Sequence, residues 1–171
     1  ARLRCRPVIA MHTYLITGAA RGIGKAIAER LAKQAQQQQT PLALALLDQA
    51  GSDLAEVAAQ LQSANVQTLA IAGDLSDPAC PAAAVQACHT AFGQLSGIVS
   101  NAGAAVPSLL QDCKIADWNR IFALNARAPF LLAQAALPHL LDSQGSLLVI
   151  TSVSATHATP FLGAYSASKA A

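Results

Sequence analysis

Short apolar runs alternate along this chain with stretches in which apolar residues recur every three or four positions. The runs predict strands at 13–17, 42–47, 67–72, 97–100 and 146–150. The periodic stretches predict helices at 23–35, 53–62 and 81–92, a long one at 117–141 interrupted by Pro129 and Pro138, and one opening at Tyr165. The first helix shows Ile23, Ile27, Ala28 and Leu31 on one face. The second carries a stripe of Leu54, Val57, Ala58 and Leu61, with Ser52 placed to cap it. The glutamine-rich segment 34–39, closed by Thr40 and Pro41, reads as a solvated loop or a frayed helix end. Leu42 to Leu47 is apolar without a break, as expected of a strand covered on both faces. Strands separated by helices imply βαβ units, hence a parallel sheet in a doubly wound α/β domain.

Composition narrows the class. Of 171 residues 53% are apolar and 12% charged, which excludes a disordered chain. The longest apolar run, six residues, is far short of the roughly 20 needed for a membrane-spanning helix. The formal charge of +2 depends on Arg2, Arg4 and Arg6; without them the balance is 8 basic to 9 acidic. No basic stripe is left for nucleic acid, and neither nucleic acid nor membrane is an expected partner. Residues 1–10 are read as an N-terminal extension and 11–171 as the domain, which gives a cytoplasmic location by default. Four cysteines lie without framework spacing and read as reduced thiols; Cys80, Cys88 and His89 fit no common zinc pattern, and no metal site is assigned.

After the first strand comes Thr17-Gly18-Ala19-Ala20-Arg21-Gly22-Ile23-Gly24, opening the first helix. Gly18 permits a tight turn, Gly22 lets the backbone approach a pyrophosphate, and Gly24 lets the helix pack close to the sheet. The helix N-terminus offers unpaired N–H groups to phosphates. Lys25 follows the last glycine without the G-K-[ST] of a Walker loop.

Three motifs occur together and in order: T-G-x-x-x-G-I-G at 17–24, N-A-G at 101–103 and Y-x-x-x-K at 165–169, with Ser152 thirteen positions before Tyr165. This set resembles the short-chain dehydrogenase/reductase family, from about Met11 to the last residue. The resemblance implies a Rossmann-type sheet in the order 3-2-1-4-5, C-terminally truncated, because family members continue through further strands and a substrate-covering loop. It implies hydride transfer between a nicotinamide cofactor and a secondary alcohol or carbonyl. It assigns Tyr165 as general acid/base, Lys169 as its activator, Ser152 as the stabiliser of the substrate oxygen and Asn125 as the anchor of a proton-relay water. Tyr165 and Lys169, four apart on a helix, share a face, and an ammonium there favours the phenolate. Lys169 and Tyr165 also belong to the cofactor-binding set. Pro129 has no N–H for the carbonyl of Asn125 and favours a kink there.

Around the cofactor, Gly18, Arg21, Gly22, Ile23 and Gly24 form the phosphate turn. Asp48, ending the second strand, accepts from a ribose 2′-hydroxyl and repels a 2′-phosphate, which favours NAD; Arg21 points toward NADP as the second candidate. The resemblance places Asp74 and Leu75 at the adenine and Asn101, Ala102 and Gly103 along the adenosine side, bracing the sheet. It also implies a homodimer or homotetramer in the full-length protein. The competing readings are a 3-oxoacyl thioester reductase, a truncated chain that binds cofactor without turnover, and, more remotely, a methyltransferase-like nucleotide-binding module.

Overall fold

In the computed structural model, residues 11–157 and 159–171 are described, and the apolar runs become one parallel sheet. The strands are β1 (His12–Thr17), β2 (Leu42–Asp48), β3 (Val66–Ala72), β4 (Gly97–Ser100) and β5 (Ser146–Val149), in the order β3-β2-β1-β4-β5. The helices are α1 (Gly22–Gln38), α2 (Leu54–Leu61), α3 (Cys80–Phe92), α4 (Ile115–Phe122), α5 (Ala128–Ser143) and α6 (Gly163–Ala170). The expected N-terminal extension at 1–10 lies outside the described residues. Among the described residues no helix is long and apolar enough to cross a membrane.

The unbroken run in β2 has a simple cause. Successive strand side chains point to opposite faces. Ala45 and Leu47 enter the core shared with α3 and α5, beside Leu15, Val85, Ile98 and Leu132. Leu44 and Leu46 enter the other core, with α1 and α2, beside Ile16, Ala28, Val57 and Val66. With helices on both faces neither set tolerates a polar residue, and each buried Leu contributes roughly 1.5–3 kcal/mol.

Four expectations change. The glutamine-rich segment is helical to Gln38, and Gln39 ends α1 in the left-handed conformation; glutamine is a good helix former, and its polarity marks a solvated face rather than a loop. The face α1 buries is Gly24, Ala28, Ala32 and Ala35, while Ile23 is 61% exposed, because the small residues let the helix lie close to the sheet. Ser52 does not cap α2: Asp53 is the residue before the helix, and the buried Ser52 hydroxyl has no partner among the described residues. The long helix begins at Ile115 and is interrupted where proline was expected to act. Residues Ala123–Arg127 form a π-turn between α4 and α5, and Pro129 sits in the first turn of α5, where a missing N–H costs little. Pro138 is accommodated inside α5.

Candidate active site

The carboxyl ends of all five strands face one edge of the sheet, where open α/β sheets bind ligands. A cleft of about 320 Å³ opens there. Gly18 and Arg21 line it from the glycine turn, Asp48 from β2, Leu75 from the loop after β3, and Ala102 and Gly103 from the end of β4.

Hydrogen bonds lock β1 to β4 beneath this cleft. The Thr17 hydroxyl oxygen accepts from the backbone N–H groups of Asn101 and Ala102, each at 3.0 Å. The Asn101 Nδ2 donates to the carbonyls of Thr17 and Gly18, at 3.0 and 3.2 Å. Gly18 and Gly22 have φ of 65° and 57°, the left-handed region that favours glycine. A Cβ at Gly24 would collide with the Gly18 carbonyl and stand 2.7 Å from Asn101 Nδ2. Arg21, the residue before α1, makes no side-chain cap bond, so the first amides of the helix receive no cap from it.

Asp48 holds the turn from the other side. Its Oδ2 accepts from the Ala20 N–H and its Oδ1 from the Gln49 N–H, both at 2.8 Å. Asp74 is exposed, and its Oδ1 accepts from the Ser76 N–H at 2.9 Å. That bond, helped by the Ser76 hydroxyl and then by the charge of Arg120, holds the Asp74 carboxyl below its ordinary range against the opposing effect of burial. Arg127, on the π-turn, donates to the Ser76 carbonyl and ties the same loop to the α4–α5 junction.

The second half of the candidate set gathers around Gly103. Asn125 is buried; its Oδ1 accepts from the Ala104 N–H, and its Nδ2 donates to the Ala104 carbonyl and to the Ser168 hydroxyl, all at 2.9 Å. Ser168 in turn donates to the Tyr165 carbonyl at 2.7 Å. Lys169 Nζ donates to the Ile150 carbonyl at 2.9 Å, and burial pushes its pKa down from the ordinary lysine value. A Cβ at Gly103 would meet Asn125 Oδ1 at 3.1 Å and Lys169 Nζ at 3.3 Å, so a side chain there would press on both groups.

The structure thus brings Asn125, Gly103 and Lys169 together at the edge of the cleft. It does not join Ser152 to Tyr165: the Ser152 Oγ accepts from the Ser154 N–H at 3.2 Å and caps the short 3-10 turn Val153–Ala155. Ser152 keeps its hydroxyl proton for another acceptor. Sequence reasoning did not single out four residues of the site. Thr17 and Ser168 act only once β1 meets β4 and α6 meets the π-turn, although both lie inside motifs. Leu124 and Arg120 also line the cleft, four residues apart; Leu124 adjoins Asn125 in the sequence, and Arg120 stands outside the motifs. His139 stacks on His89 with ring centroids 4.2 Å apart, away from the cleft.

The family described as short chain dehydrogenase matches residues 12–171. The short-chain dehydrogenase/reductase FrzI of Cladobotryum sp is 34% identical over 92% of this chain and 58% of its own length. An alcohol dehydrogenase from Thermococcus sibiricus complexed with 5-hydroxy-NADP superposes with a TM-score of 0.85 at 27% identity, covering 94% of this chain and 66% of that one. A short-chain dehydrogenase/reductase from Burkholderia phymatum in complex with NAD gives 0.85 at 26%, covering 95% and 56%. The chain spans about three fifths of the length of the curated relatives it matches.

Proposed function

The chain belongs to the short-chain dehydrogenase/reductase family, and we propose that its site transfers hydride between NAD(P)(H) and a secondary alcohol or carbonyl compound. The observation that carries this reading is the packing of Asn125 and Lys169 about Gly103, beside a cleft whose glycine turn leaves a helix N-terminus free for a diphosphate. The residues present fit such a cofactor: Gly18 and Gly22 hold left-handed turns, and Gly24 occupies a place where any side chain would strike the Gly18 carbonyl. When bound, the nicotinamide accepts or supplies the hydride.

Tyr165 gives a proton to the carbonyl oxygen in reduction and takes one from the alcohol in oxidation. Lys169, four residues on along α6, places an ammonium where it favours negative charge on the phenol oxygen and donates to ribose hydroxyls. Ser152 donates its free proton to the substrate oxygen. Both Asn125 Nδ2 protons go to the Ala104 carbonyl and the Ser168 hydroxyl and its Oδ1 accepts from the Ala104 N–H, and the proton relay is assigned to its backbone carbonyl. Asp48, Asp74, Leu75 and the Asn101–Gly103 turn receive the adenosine. The Asp48 carboxylate has acceptor capacity beyond its two backbone bonds for ribose hydroxyls and repels a 2′-phosphate, which supports NAD over NADP. Exposed Trp118, Phe130, Leu137 and Leu141 on α4 and α5 support self-association through these helices.

The test is oxidation of NADH and NADPH with a panel of small ketones. Tyr165→Phe is expected to lower turnover by roughly a hundredfold or more while dinucleotide affinity stays unchanged; retained turnover would refute the proton-transfer role. Asp48→Ala is expected to narrow the preference for NADH over NADPH by about tenfold, read as the ratio of the two dissociation constants.

A further inference from the structure

We infer that Arg120 is a cofactor-binding residue that closes the adenine end of the cleft by laying its guanidinium plane on the base. The inference rests on the dinucleotide reading above and adds to it a residue outside every motif in the sequence.

Three apolar groups from three elements line one part of the cleft: Leu75 after β3, Ala102 after β4 and Leu124 in the π-turn. Leu75 and Leu124 are buried. Apolar walls of this kind suit the faces of a planar base and offer its polar edges nothing. Arg120 lies one helical turn before Leu124 on the same face and lines the same cleft.

Of the three arginines around the cleft, Arg127 is committed to the Ser76 carbonyl and Arg21 belongs to the glycine turn. Arg120 is exposed and takes part in no salt bridge among the described residues. Its charge is nonetheless felt by Asp74, whose carboxylate is fixed by the Ser76 N–H. Asp74, next to Leu75 in the loop after β3, attracts the guanidinium toward that wall of the cleft. Arginine suits this position better than lysine, because its plane is weakly hydrated and stacks on aromatic faces.

The test measures binding rather than turnover. Dissociation constants of AMP, ADP-ribose and 2′-phospho-ADP-ribose are determined by calorimetry for the wild-type chain, Arg120→Met and Arg120→Lys. The Met variant keeps the aliphatic stem and the Lys variant keeps the charge. Both are expected to bind all three ligands roughly five- to tenfold more weakly. Full affinity in the Lys variant would overturn stacking in favour of a simple charge contact. A loss confined to the 2′-phosphorylated ligand would overturn it in favour of a phosphate contact, and unchanged affinities would remove Arg120 from the site. Failure of the wild-type chain to bind ADP-ribose would sink the dinucleotide reading itself, and this inference with it. Should Arg120→Met melt early by circular dichroism, Arg120→Gln takes its place in the same comparison.

Discussion

At Gly24 the first turn of α1 lies against the Gly18 carbonyl and the Asn101 amide, and a methyl group has nowhere to go. Gly22 is the opposite case: nothing lies within 4 Å of a Cβ there, but its φ is 57°. One glycine is therefore required by packing and the other by backbone conformation. Gly24→Ala is expected to destabilise the domain by about 1–3 kcal/mol, because the colliding atom is backbone and cannot rotate away. Gly22→Ala should cost about 1 kcal/mol, the usual left-handed penalty. Urea unfolding of the two variants decides the order, and equal midpoints would show that α1 slides to relieve the clash. The motif anticipated the packing role of Gly24, but it gave the tight turn to Gly18 and only close approach to a pyrophosphate to Gly22. Thr17 was not separated from its neighbours, because its two accepted bonds exist only after β1 and β4 pair. A hydroxyl that acts across 84 residues leaves no local trace.

The π-turn ties several parts of the site together. Five consecutive residues, Ala123–Arg127, include Leu124 at the cleft, Asn125 holding Ala104 and α6, and Arg127 holding the loop of Asp74. A regular helix advances each residue by about 100°. The wider turn changes that spacing and lets neighbours in sequence reach different elements. Asn125→Ala removes three hydrogen bonds and leaves the Ala104 N–H and carbonyl to find new partners. The expected cost is about 2–4 kcal/mol, measured by chemical denaturation. Asn125→Asp keeps the acceptor for Ala104 and loses the donors, so it should fall between wild type and alanine. An alanine variant as stable as wild type would mean that water replaces the side chain at no loss. The sequence revealed this element only in part. Pro129 marked a disturbance, since a missing N–H is a local fact, but it did not reveal that the helix would widen rather than bend. The errors in α1 have a related cause: a run of glutamines resembles a loop by polarity, and Ile23 resembles core by hydrophobicity, yet which face is buried depends on how closely the helix can approach the sheet.

For the whole molecule, alternation of apolar runs with periodic stretches was enough to give a parallel sheet with helices on both faces. The strand order was not readable from periodicity, because every βαβ unit looks alike in hydropathy; it came from the motifs and the resemblance they carry. The sheet is not equally covered across its width. Every residue of β2 except Asp48 is buried, whereas in β5, at the end of the sheet, Leu148 is 54% and Val149 39% exposed. β5 pairs only with β4 among the described strands, so one row of its backbone groups and part of its apolar surface face outward together. Such an edge is a template for another strand. The expected behaviour is concentration-dependent self-association of this 171-residue chain, reversed in large part by Leu148→Lys. A charge at this half-exposed position blunts the edge and removes little core, so the unfolding free energy from urea denaturation should stay within about 0.5 kcal/mol of wild type. Sedimentation velocity across a concentration series separates the causes. If association persists in Leu148→Lys but falls in Phe130→Lys, the exposed face of α5 drives it. If it falls in Leu148→Lys alone, the open side of the sheet does, and that surface is the one a further segment of polypeptide would have to cover.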